Sequence, residues 1–432
     1  MPKGDSGEPE KRGASTARIL LASMVGTAVE FYDFYIYGTA ASLVFGALFF
    51  PKSDPSSQLF ATYATFAVAF IARPIGALLF GHFGDRVGRK STLVASLLLM
   101  GGSTIAIGLL PTYAAFGQWA PLLLCLLRFC QGLGLGGEWG GAALLAVENA
   151  PPGYSARYGM IPQLGAPAGF IASNGLFLIL GMLLDADQFL QWGWRLPFLG
   201  SLPLIALGLW IRLRIVETPA FAAATAEAPP PKVPMADLLR DYPREVMAGT
   251  FAVIACFAIF YLSTVFALGY GTTALHFERK LFLELQLAAI PFMAIGTVWA
   301  GVWADRSSPR RVLAWGCAGV VAAGGLLSPM LGSGNAATIW AFLAFSLLMM
   351  GLVYGPLGAY LPSLFPTRVR YSGISLSFNA GGILGGALAP MLAQSLAASG
   401  NLAYVGVYLS GAAAVSLAGL ATVRRSSAQA GG

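Results

Sequence analysis

The residues with the most chemistry to offer are five charges set in apolar surroundings. Arg128, Glu138 and Glu148 fall in RFCQGLGLGGEWGGAALLAVE (128–148), and Glu30 and Asp33 fall in AVEFYDFYIYG (28–38). An ionised side chain at bilayer depth costs roughly 2.5–3.5 kcal/mol on insertion scales, so it ordinarily faces water or a partner. Two carboxylates one helical turn apart at such depth can load and release protons, because desolvation and a nearby cation pull their affinity in opposite directions. Arg128 sits one turn before a glycine-rich run, Gly132, Gly134, Gly136, Gly137, Gly140 and Gly141. Glycines let a second helix approach closely or let the helix bend. A charged, glycine-rich membrane helix is a candidate solute site; the competing reading is a tight packing face with one structural ion pair.

The elements that must position these groups follow from composition. The chain has 432 residues, 56% hydrophobic and 10% charged, with a mean hydropathy of +0.70. Soluble domains carry about 25% charged residues, so this is an all-α polytopic membrane protein embedded in a lipid bilayer. Segments of about 20 apolar residues can be placed at 19–47, 58–81, 91–110, 120–147, 158–184, 196–215, 246–272, 282–304, 312–331, 336–361, 372–398 and 402–423. That predicts twelve transmembrane helices.

Of the 26 Lys and Arg, all but six fall in segments that are cytoplasmic if the N-terminus is inside. The six are Lys52, Arg195, Arg279 and Lys280 outside, and Arg73 and Arg128 within spans. The net charge of +7 is therefore positive-inside topology rather than a sign of nucleic-acid binding. Both termini are expected in the cytoplasm. Cys125, Cys130, Cys256 and Cys317 lie in apolar spans, and His82 and His276 lie at opposite faces. Neither set has metal-ligand spacing, so no metal and no cofactor are expected. The first apolar run carries Glu30 and Asp33 and is too long for a cleaved leader.

Along the chain, residues 1–17 read as a disordered polar tail. Arg73, in the inner half of its span, reads as snorkelling or structural. Tyr37 lies one turn beyond Asp33 and shares its face. Gln163, Asn174, Tyr261, Thr264, Tyr354 and Asn379 are polar groups inside spans, of which Gln163 and Asn379 occupy matching places in the two halves of the chain. The stretch 216–244 reads as a linker, with a short interfacial helix at ADLLRDYPRE. Gly132-x-Gly134-x-x-Gly137 matches a dinucleotide fingerprint but follows no strand, so it is a packing motif. No phosphate loop and no credible Ser/His/Asp set occur, which argues against an enzyme.

Two echoes divide the chain. GHFGDRVGRK (81–90) is echoed by GVWADRSSPRR (301–311), and ENAPPGYSARYG (148–159) by SLFPTRVRYSG (363–373). The spacing predicts two parallel six-helix halves: a tail 1–17, a bundle 18–215, a linker 216–244, a bundle 245–423 and a tail 424–432.

GHFGDRVGRK resembles the signature loop of the major facilitator superfamily, and RFCQG its helix-4 arginine motif. With VEFYDF, RPIG, QGLGLGGEWGGAALL, WGWRLPF, ETPAF and FPTRVRYSG, nearly the whole chain resembles the metabolite:proton symporters, which carry shikimate, citrate, 2-oxoglutarate and osmoprotectants. GGEWGGAALL is most similar to the shikimate-transporter branch. The resemblance implies a monomeric secondary active transporter of the bacterial inner membrane. It would take up a small organic-acid anion or related polar metabolite with protons by alternating access. Proton-coupled osmolyte uptake and export by antiport are the alternatives within transport, and a membrane sensor or interaction protein the alternative outside it.

Residue by residue, the resemblance implies proton coupling at Asp33, with Glu30 and Glu138 next. It implies substrate contact at Arg128, which would alternately hold Asp33 and a substrate carboxylate; its fork binds carboxylates by two bonds. Tyr37, Gln163, Asn379 and Tyr261 are further substrate-binding candidates. A cytoplasmic gate is implied at Asp85, Arg89 and Glu148, repeated in the second half at Asp305 with Arg310 or Arg311. There Ser363 stands where relatives commonly carry Glu and the loop is one residue longer, which weakens a symmetric latch.

Overall fold

The computed structural model describes residues 8–52, 54–87, 89–136, 138–214, 234–367 and 369–422, and their side chains except those of 8–19, 81–93, 211–214 and 234–237. Among the described residues the chain is helical, with no strand. The main helices are α1 (Glu8–Ala40), α2 (Pro55–Val87), α3 (Arg89–Leu109), α4 (Trp119–Glu148), α5 (Ser155–Leu183) and α6 (Ser201–Arg214). After a short helix, Pro234–Asp241, come α7 (Pro243–Thr273), α8 (Arg279–Arg306), α9 (Pro309–Leu331), α10 (Ala336–Ser363), α11 (Arg370–Ala398) and α12 (Ala403–Thr422). Nine of the described helices are long and apolar enough to cross a membrane.

Each falls on a predicted span, and the linker helix falls on the predicted stretch. One boundary differs: helix begins at Glu8, inside the stretch read as a disordered tail. Glu, Lys, Arg and Ala there are good helix formers, and Pro9 sits in the first turn, where its missing N–H costs nothing.

In the N-terminal part α1 packs on α5, α2 on α4, and α3 on α4 and α6. In the C-terminal part α8 packs on α10, α9 on α12, and α7 on α11 and α12. The two parts meet along α2 with α11 and α5 with α8. Helix α7 is almost wholly buried. The outer surface carries large exposed apolar side chains, among them Leu122, Leu126, Ile179, Trp299, Trp315 and Val407; such a belt needs a lipid or protein partner.

Interrupted helices shape the centre. Helix α4 is two rods, Trp119–Leu135 and Glu138–Glu148. Gly136 marks the break because α2 crosses there: a β-carbon at Gly136 would strike the Arg73 carbonyl, and one at Gly132 the Ala69 carbonyl. Helix α10 breaks at Gly355–Pro356, between rods ending at Tyr354 and starting at Leu357. Single π-turns interrupt α7 at Leu262–Phe266 and α11 at Ile383–Ala387, and a third, Ala41–Phe45, extends α1. Such π-turns free carbonyl groups and are frequent at functional sites.

Candidate functional site

Arg128 is fully buried on α4. Its Nη1 donates to Oε1 of Gln131 at 2.9 Å, while Nε and Nη2 have no hydrogen-bond partner. The guanidinium lies instead on aromatic faces, 3.8 Å from the Tyr37 ring centroid, 4.5 Å from Phe34 and 5.1 Å from Phe66. Cation–π contacts of this kind contribute about 2 kcal/mol when desolvated. Arg73, also buried, lies 4.5 Å from the same Phe34 centroid and 4.5 Å from Phe70. The two guanidiniums therefore share one ring and are separated by at most twice that distance. Burying two cations so close is unfavourable unless negative charge offsets them; Arg73 and Phe34 line the cavity described below, and Arg128 lies behind them, outside its lining.

Asp33 is buried on α1 and accepts from the Ser201 hydroxyl of α6 at 2.5 Å; its second oxygen has no partner. Asp33 and Arg128 form no ion pair in this conformation. Gln131 donates through Nε2 to Thr104 at 2.6 Å, and the Thr104 hydroxyl borders the Asp33 carboxyl while donating to the Met100 carbonyl at 3.0 Å. Turning that hydroxyl would complete a chain from Arg128 to Asp33. Gln131 is one turn from Arg128 and so was legible as its neighbour; Thr104 and Ser201 carried no sequence signal.

Glu30, with Arg73, Phe34, Trp139, Ser375, Phe378 and Asn379, lines a small cavity of about 30 Å³ between the two parts of the chain. Glu30 lies within Coulombic reach of Arg73. Glu138 faces elsewhere, accepting from Ser96 of α3 at 2.8 Å. Tyr37 bonds to the Thr65 hydroxyl at 2.6 Å and forms a wall beside Arg128. Tyr261 of α7 packs among Phe34, Phe66, Phe70, Phe257 and Phe260. Gln163 lies away from the cavity and donates to the Gly159 and Gly355 carbonyls, both at 3.2 Å. Asn379 reaches the cavity wall but donates to the Gly136 carbonyl at 2.7 Å.

Contacts between the two parts of the chain lie on both sides of the cavity. Towards the C-terminal ends of α1 and α7, the π-turn carbonyl of Val265 accepts from Ser42 at 3.0 Å and Tyr63 at 2.9 Å. Below the cavity the Trp139 and Phe378 rings stack, with centroids 3.6 Å apart and planes 3° from parallel, and the Trp139 indole donates to the Tyr354 hydroxyl at 3.2 Å. Nearer the linker end, Asp305 accepts from the backbone N–H groups of Ala156 at 2.8 Å and Arg157 at 3.2 Å, and pairs with the Arg157 side chain at 3.3 Å. The reciprocal pair, Glu148 with Arg370, is looser at 4.0 Å.

Asp305 pairs with Arg157 rather than with the expected Arg310 or Arg311. Asp305 engages the start of α5, where N–H groups and helix dipole favour a carboxylate. Arg310 stands in the first turn of α9 within electrostatic reach of Tyr360, and Ser363 donates to the Tyr360 carbonyl at 2.7 Å. The side chains of Asp85 and Arg89 lie outside the described residues. Arg157 and Arg370 were not singled out from the sequence, although they stand in the two segments that echo one another.

Residues 23–390 match the family model described as Major Facilitator Superfamily. The chain belongs to the major facilitator superfamily. It is 48% identical to the inner membrane metabolite transport protein YhjE of Escherichia coli K12, over 94% of this chain and 93% of that one. It is 35% identical to the shikimate transporter of the same organism (91% of each chain) and 31% identical to its proline/betaine transporter (93% and 82%). The crystal structure of a D-xylose–proton symporter superposes with a TM-score of 0.73 at 16% identity, covering 94% of this chain and 97% of that one; the fold is shared. This superfamily member is thus a metabolite transporter and not an enzyme.

Proposed function

We propose that this transporter couples inward proton movement to uptake of a small organic-acid anion, by alternating access between two six-helix halves with twelve spans. Its place is the bacterial inner membrane, as the name of its 48% identical relative states for that protein, with the linker end and both termini in the cytoplasm, and a monomer suffices. The observation that carries the reading is Arg128: fully buried, with two unpartnered nitrogens, and linked through Gln131 and Thr104 towards the buried carboxyl of Asp33.

The coupling follows from charge. An ionised Asp33 and a substrate carboxylate compete for the field of Arg128. Protonation of Asp33 leaves the arginine free for the substrate, whose carboxylate the fork takes bidentately. Anion and proton then bind together, and the loaded cavity carries no extra charge as the halves rock past one another; an unbalanced buried charge would oppose that step. Tyr37, Tyr261 and the surrounding rings exclude water and strengthen these interactions. Glu30 and Glu138 are secondary proton-handling groups. The pairs at Asp305 and Glu148 hold the cytoplasmic side shut until the cavity is loaded.

One observation favours a second reading. Glu30 and Arg73 line the same cavity with Phe31, Phe34, Trp139 and Phe378. A cation and a carboxylate among aromatic faces also suit a zwitterion, its ammonium held over the rings. The test is proton movement in proteoliposomes under shikimate, citrate, 2-oxoglutarate, small hydroxy and aromatic acids, proline and betaine. An acid that alkalinises the outside of wild-type vesicles but not of Arg128→Ala vesicles supports the first reading. Proline or betaine doing so in its place supports the second. Labelled-solute exchange without proton flow overturns the coupling to Asp33.

A further inference from the structure

Gln163 and Asn379 do the same thing in opposite parts of the fold. The break in α4 leaves the Gly136 carbonyl to accept from Asn379 of α11 at 2.7 Å. The break in α10 leaves the Gly355 carbonyl to accept from Gln163 of α5 at 3.2 Å. In the second case the N–H of Ala359, the helical partner of Gly355, bonds to the Pro356 carbonyl at 3.1 Å instead.

The surroundings repeat as well. Gly136 is pressed on α2, where a β-carbon would strike the Arg73 carbonyl, and Gly355 on α8, where one would come within 2.7 Å of the Thr297 carbonyl. Four residues before each amide stands a small residue, Ser375 or Gly159, in close contact with a glycine beyond the opposite break, Gly140 or Gly358. Both amides are buried, and both bonds join the N-terminal part to the C-terminal part. A buried carbonyl released by a helix break strongly favours finding a donor.

We propose that Asn379–Gly136 and Gln163–Gly355 are paired hooks that hold α4 and α10 bent against the opposite half, and that both release when the cytoplasmic side opens. Gln163 and Asn379 are thus positioning residues; Gln163 touches no substrate. Asn379 alone lines the cavity, so a bound solute reaches that hook first and transmits occupancy to the closed side. This rests on the alternating-access reading above.

The experiment measures the distance between nitroxide labels at Asn149 and Thr367, both exposed near the Glu148–Arg370 contact, in full-length protein with its four cysteines replaced. Gln163→Leu and Asn379→Leu should each raise the population with long distances about fivefold, the effect of one hydrogen bond, and the double variant more. Gln163→Asn and Asn379→Ser, which keep a polar group too short to reach, should do the same if the leucine variants misfold. Asp305→Asn, which weakens the separate latch, is the reference. If it lengthens the distance and the hook variants do not, the hooks are refuted while alternating access stands. If the distance is fixed in every variant, the alternating-access reading falls too. A Gln163 variant that lowers solute affinity with unchanged distances would make it a substrate ligand and overturn the proposal.

Discussion

Arg128 and Asp33 are not an ion pair; Gln131 and Thr104 stand between them. Gln131 accepts from Arg128 at 2.9 Å and donates to Thr104 at 2.6 Å, and Thr104 borders the Asp33 carboxyl. Both ends of this path are buried, so each can sense the charge of the other at low dielectric. Gln131→Leu removes the relay and leaves a third nitrogen of Arg128 unpaired, a loss of about 1–3 kcal/mol. Proton-driven uptake in proteoliposomes should fall roughly 5- to 150-fold, with solute exchange falling less. Equal losses in both assays would mean that Gln131 merely supports the fold.

Asp33→Asn keeps the shape of the side chain and an oxygen for the Ser201 hydroxyl, which now bonds at 2.5 Å, but cannot take up a proton. Uptake driven by a pH gradient should disappear while exchange of labelled solute across the membrane persists. Gradient-driven accumulation at the wild-type level would remove Asp33 from coupling and turn attention to Glu30 and Glu138.

Arg128→Lys preserves charge and loses the planar fork and its fit against Tyr37, Phe34 and Phe66. Such exchanges are not conservative at stacked or bidentate sites. The concentration of acid giving half-maximal uptake should rise at least about tenfold, the equivalent of about 1.4 kcal/mol. Unchanged affinity would show that recognition rests on Arg73 alone.

Asp305→Ala deprives the N–H groups of Ala156 and Arg157 of their acceptor and breaks the pair with the Arg157 side chain. Charge-assisted bonds of this kind contribute about 1.5–3 kcal/mol. A cysteine placed at the partly buried Leu144 should then react faster with a thiol reagent applied from the cytoplasmic side. Glu148→Ala, at a half-exposed position 4.0 Å from its partner Arg370, should have a smaller effect, in keeping with exposed ion pairs. The reverse ranking would place the latch at Glu148.

Gly132→Val adds a branched side chain where even a β-carbon would meet the Ala69 carbonyl of α2. Overpacking costs about 1–3 kcal/mol where the helices can shift. The detergent-solubilised protein should melt several degrees lower than wild type. Gly102→Val, at a position with no atom within 4 Å of such a β-carbon, should leave the melting temperature close to that of wild type. Equal shifts at the two positions would refute the close-packing role of Gly132.

The places of the nine described helices long and apolar enough to cross a membrane follow from the sequence alone, because hydropathy over about 20 residues is a local property and lipid leaves helix as the solution for an α-type chain. Arg128, Asp33 and Glu30 were legible for the same reason: a charge in an apolar run is conspicuous without any knowledge of its neighbours. Which groups meet is not local. Ser201 stands 168 residues from the aspartate it bonds, and Asn379 stands 243 residues from Gly136. Glu148 and Asp305 stood out as acids in the repeated segments, but their partners on the opposite half depend on how α4 meets α11 and α5 meets α8. The glycine run of α4 announced close packing. That each break offers its carbonyl to an amide from the other half was decided only by tertiary structure, since a hydrogen bond between helices depends on their separation and rotation, which no single helix encodes.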